Sequence, residues 1–66
     1  MTPAEHIKAI RKRTGLSQAD FARVYEIPKR SIENWETGVR CPPPYFVRLL
    51  ELAVKAYPPE QLEDPD

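Results

Sequence analysis

The sequence predicts an all-α fold, a compact bundle of four short helices. Three observations carry that expectation. Apolar residues recur at helical spacing, as at Ile7 and Ile10 or at Ile32 and Trp35, and no run alternates with period two. Gly15, Pro28, Gly38 and the pair Pro58-Pro59 stand where helices would stop or start. The chain has 66 residues, enough for one small domain. A domain that short buries only roughly 60% of its unfolded surface, so its stability should be marginal.

Each element follows from local chemistry. Thr2-Pro3-Ala4-Glu5 has the pattern of a capping box, with Pro3 at a position where a helix needs no N–H. Ala4, Ile7, Ala9 and Ile10 form an apolar stripe, and Gly15 closes the helix over residues 3–14. Ser17 caps a second helix, with Asp20 as a weaker box partner and Phe21, Ala22 and Tyr25 on its inner face. It ends near Tyr25, because Ile27 precedes Pro28 and is driven into an extended conformation. A turn of about three residues follows. A third helix runs from Lys29 to Thr37, with Pro28 before it and Gly38 after it. Ile32 and Trp35 face inward, so Lys29, Arg30, Glu33, Asn34 and Thr37 face out. A proline-rich loop leads to a fourth helix over residues 45–57. Its apolar positions are too many for one stripe, and the surplus around Leu52, Val54 and Ala56 suits a dimer face. Residues 1–57 then make the domain, and residues 58–66 an acidic, flexible tail.

Composition excludes several classes of function. No apolar run approaches the roughly 20 residues that cross a bilayer, and the N-terminus has no apolar block of a signal peptide. Cys41 is the single cysteine, so no internal disulfide forms, which suits a reducing cytoplasm. His6 has no second His or Cys to share a metal ion, and no nucleophile, base and acid occur together. The expectation is a cytoplasmic protein that is not an enzyme and needs no cofactor or metal.

Ten basic residues balance ten acidic ones, yet they are not mixed evenly. Residues 1–50 hold nine bases against five acids, a net of +4, and residues 51–66 hold one base against five acids, a net of −4. The second and third helices, joined by a tight turn, have the layout of a unit in which one helix crosses the DNA backbone and the next enters the major groove. Arg30 can donate twice to guanine, and Asn34 can pair both ways with adenine. Lys29 suits a base or a phosphate. Glu33 can accept from the cytosine amino group or simply repel phosphate.

The runs Ser17-Gln18-Ala19-Asp20-Phe21-Ala22 and Ser31-Ile32-Glu33-Asn34-Trp35-Glu36-Thr37-Gly38 resemble the phage-repressor type of helix-turn-helix protein, the Cro and Xre family. The resemblance spans about residues 5–54. It implies a lambda-repressor-like fold in which Lys29, Arg30 and Asn34 read bases while Gln18, Ser31 and Arg40 meet the DNA backbone. It also implies a structural ion pair between Arg11 and Glu36. That pairing makes physical sense, because a carboxylate at a helix C-terminus needs a cation against the dipole. The implied partner is double-stranded DNA; a single module this small should bind weakly, so a homodimer on a pseudo-palindromic operator is expected, with the fourth helix as the candidate pairing face. The implied role is a transcriptional repressor of bacterial or phage origin. The alternative is an antitoxin that grips a toxin protein and controls its own operon. The chain departs from the family in two places. Glu26 stands where the turn usually has glycine, so it either takes a left-handed conformation at roughly 1–2 kcal/mol or the turn is remodelled around Pro28. Four helices are expected where the family typically has five.

Overall fold

Residues 2–59 are described in the computed structural model of the chain. Met1 and residues 60–66, which hold most of the expected acidic tail, lie outside the described residues. The described residues form four helices: α1 (Pro3–Thr14), α2 (Gln18–Val24), α3 (Lys29–Thr37) and α4 (Pro44–Ala56).

The helix ends follow the predicted chemistry, with three one-residue shifts: the end of α2 and both ends of α4, which stops at Ala56 rather than at residue 57. At the start of α1 the Thr2 hydroxyl accepts from the Glu5 N–H at 3.1 Å, and Glu5 Oε1 accepts from the Thr2 N–H at 3.0 Å. The bond from the Thr2 backbone holds the Glu5 carboxyl below the usual carboxylate range. Ser17 caps α2 by accepting from the Asp20 N–H at 3.1 Å. The α2 helix stops at Val24, so Tyr25 is its cap rather than its last turn. The α4 helix starts at Pro44 instead of Tyr45, because a first helical residue needs no N–H partner. Gly15 and Gly38 end α1 and α3 with φ of 75° and 82°, the left-handed region where glycine carries no Cβ penalty.

The α1 helix packs against the other three. The core is Ile7, Ile10, Phe21, Ala22, Ile32, Val47 and Leu50, and all four helices contribute to it. Phe21, Ile7, Ile10 and Ile32 are completely enclosed, each stabilising the fold by about 1.5–3 kcal/mol of apolar burial. Around them pack Leu16, Tyr25, Ile27, Trp35, Phe46 and Val54. Trp35 stacks obliquely on Phe46, with ring centroids 5.0 Å apart. The Tyr25 hydroxyl donates to the Tyr57 carbonyl at 2.9 Å. That bond ties the end of α4 to the end of α2.

The turn between α2 and α3 takes the first of the two alternatives. Glu26 is left-handed, with φ of 55°. The turn closes on itself through the Ile27 N–H, which donates to the Ala22 carbonyl at 2.9 Å.

Candidate nucleic-acid interface

The outward face of α3 is built by subtraction. Ile32 and Glu36 are buried and Trp35 is half-buried, which fixes the helix rotation. Lys29, Arg30 and Thr37 are left exposed, with Ser31, Glu33 and Asn34 half-buried beside them. Pro28 supplies no side-chain cap, so the first N–H groups of α3 are not taken up by a capping side chain. The Thr37 hydroxyl donates to the Glu33 carbonyl at 2.8 Å. Its hydroxyl proton is therefore directed into the helix. Arg40 is exposed in the loop after α3, and its backbone N–H donates to the Asn34 carbonyl at 3.2 Å. That bond seats the Arg40 backbone against the last turn of α3 beside Asn34, while Lys29 and Arg30 stand in the first turn of the same helix.

Beneath this face lies a charged network. Arg11 Nε donates to Glu36 Oε2 at 2.7 Å, and a second guanidinium nitrogen donates to Oε1 at 3.0 Å. This is the bidentate geometry that makes an arginine–carboxylate pair strong. A third nitrogen of Arg11 donates to the Leu16 carbonyl at 2.9 Å. Burial alone would raise the Glu36 carboxyl, but hydrogen bonds from Arg11 and Gln18 outweigh it and hold Glu36 below the usual carboxylate range. The hydrogen bond to Glu36 in turn raises Arg11.

Gln18 stands at the first position of α2, half-buried, and its amide donates to Glu36 Oε1 at 3.1 Å. One of its two amide N–H groups is thus committed inside the protein, and the other is left for a further acceptor. Nothing in the sequence announces this bond, since Gln18 and Glu36 are far apart along the chain. Helical spacing does announce another: Lys29 Nζ lies 3.8 Å from Glu33 Oε2, an i,i+4 pair.

A second surface lies on α4. Tyr45, Leu49, Leu52 and Ala56 are exposed. Val54, expected in the surplus apolar set, is instead packed against the core. Beside the exposed residues runs an apolar groove of about 210 Å³, lined by Tyr25, Ile27, Phe46, Leu49, Leu50 and Ala53. No cluster of His, Cys, Asp or Glu able to hold a metal occurs among the described residues. None of their helices is long and apolar enough to cross a membrane.

No curated protein and no solved structure matches the chain. Residues 7–62 match a family model described as helix-turn-helix, so the matched stretch contains α2, the turn, α3 and α4 whole. The chain therefore belongs to the Cro- and Xre-like helix-turn-helix family of DNA-binding transcription regulators.

Proposed function

We propose that the chain is a sequence-specific repressor that occupies a pseudo-palindromic operator as a homodimer. The observation that carries this reading is the polar face of α3, with Arg30 exposed, Asn34 beside it and Arg40 held against the last turn. Arg30 donates bidentately to guanine, Asn34 pairs with adenine, and Lys29 adds a base contact at the start of the helix. Arg40, Ser31 and the remaining amide N–H of Gln18 meet phosphates and set the register. Arg11 and Glu36 touch no DNA. They hold α1, α2 and α3 at the angle that presents the reading face.

One such helix reads roughly three to five base pairs, too few for a selective site. Two copies on half-sites about one helical turn apart supply the rest. Repression follows from covering a promoter. The test is selection of bound sites from random double-stranded DNA with the purified chain. An enriched palindrome is expected. Binding without any enriched sequence would sink the specific reading.

A further inference from the structure

Two clefts lie along the seam between α1 and α4, and Glu51 lines both. The first, of about 280 Å³, sits at the C-terminal ends of the two helices, beside Pro58 and Pro59, and carries Arg13 and Lys55. The second, of about 240 Å³, sits at their N-terminal ends, beside Pro42, and carries His6 and Arg48. Charge along the seam therefore reads cation, anion, cation. Arg13 donates to Glu51 Oε2 at 3.0 Å, and His6 Nε2 lies 3.5 Å from Glu51 Oε1, so the anion is held between α1 and α4. Arg48 and Lys55 are exposed, and among the described residues no ion pair engages either. No DNA contact assigned above uses any of these groups. The chain itself supplies four acids at this place. Residues 60–66 read Glu60-Gln61-Leu62-Glu63-Asp64-Pro65-Asp66, with no base, and they continue from Pro59 in the first cleft.

We propose that residues 60–66 run back along this seam as a strap. Glu60 meets Arg13 and Lys55, the uncharged pair Gln61-Leu62 crosses Glu51, and Glu63 and Asp64 meet Arg48. Reach and register select this arrangement. Seven extended residues cover roughly 23 Å, and the twelve residues of α1 rise roughly 18 Å. Lys55 and Arg48 are seven residues apart on α4, roughly 10 Å along the helix. Glu60 and Glu63 are three residues apart, roughly 10 Å in extended chain. The acids thus fall on the cations, and the uncharged step falls on the anion. Each contact is an exposed ion pair, weak by itself, but the tether at Pro59 makes the contacts intramolecular and raises their effective concentration. Docked there, the strap ties α4 to α1. It also covers cations that would otherwise draw DNA phosphate away from the α3 face. The strap does not depend on the operator reading, and it is tested without DNA.

The single native cysteine makes the strap testable, because Cys41 is exposed and adjoins Pro42, which lines the far cleft. In Asp66→Cys of the full chain, a strap in this register brings the new thiol toward Cys41. Under glutathione disulfide in dilute solution, the intramolecular disulfide should form several-fold faster than in the same chain carrying Arg48→Glu and Lys55→Glu. That difference should vanish near 1 M salt, where screening acts over about 3 Å. The substituted residues lie outside the core, so helicity should not change. Melting gives a second readout. Glu63→Lys and Arg48→Glu should each lower it by a few degrees, and the two together should recover part of the loss, since the contact is then again between unlike charges. Equal oxidation rates with and without the groove cations overturn the proposal. So does a disulfide that forms only between two chains, which would seat the segment on a second copy. Purely additive losses from Glu63→Lys and Arg48→Glu overturn the register that pairs them.

Discussion

Glu36 shows how one residue can organise a site it never enters. It is the one buried charged residue among those described, and its carboxylate takes hydrogen bonds from both Arg11 and Gln18. Glu36→Gln leaves the Arg11 guanidinium half-buried without its anion, which should cost about 2–3 kcal/mol of stability in urea unfolding. The pH dependence has a definite sign. The folded pKa of Glu36 lies below its unfolded value, so its contribution is complete above about pH 4.3 and is lost as pH falls through the folded value. Melting followed from pH 7 down to pH 3 should fall toward the acid end, and the fall should be shallower in Glu36→Gln. The residues proposed to contact DNA should behave differently. Arg30→Ala should cost about 1–3 kcal/mol on the selected site and relax one base position. Arg40→Ala should weaken binding to every sequence and lower the salt slope by about one. Competition titrations at several salt concentrations separate the two, and equal losses on all sequences would make Arg30 a phosphate anchor.

At the scale of elements, the parts legible in the sequence are those set by local rules. The capping box at Thr2, the left-handed glycines and the prolines before α3 and α4 act within one turn of chain. The bounds of α1 and α3 accordingly match expectation, and α2 and α4 differ from it by one residue. What stayed illegible depends on how helices pack. Periodicity counts Val54 and Leu52 alike as apolar, but only the docking of α4 on α1 decides that Val54 faces the core and Leu52 does not. The link from Gln18 to Glu36 joins two helices and has no local signature. The bond from Tyr25 to the Tyr57 carbonyl is of the same kind, and it makes the last turn of α4 depend on α2. Tyr25→Phe should therefore lower stability by about 1 kcal/mol. Hydrogen exchange should speed up in the last turn of α4 more than in α3. Uniform acceleration across all helices would show that the bond does not act locally.

Over the whole molecule, a net charge of zero conceals a division that matters for binding. Residues 1–59 hold ten bases and six acids, a net of +4, whereas residues 60–66 hold four acids and no base, a net of −4. Pro58 and Pro59 are half-buried and line a cleft with Ile10, Thr14 and Val54, so a truncation after Pro59 leaves these contacts in place. A chain ending at Pro59 keeps every group assigned to DNA and loses four negative charges. Long-range repulsion from those charges opposes approach to any phosphate backbone, whatever its sequence. Truncation should thus tighten binding to random DNA several-fold at low salt. The salt slope should steepen slightly, because the affinity gained by removing that repulsion is itself screened as salt rises. The two chains should converge near 1 M salt, where screening acts over about 3 Å. Selectivity for the operator over random DNA should stay the same, since a repulsion that ignores sequence shifts both affinities by the same factor. A truncated chain that loses helicity would instead make residues 60–66 part of the folded unit. An unchanged affinity for random DNA at low salt would show that the −4 segment does not act on the interface.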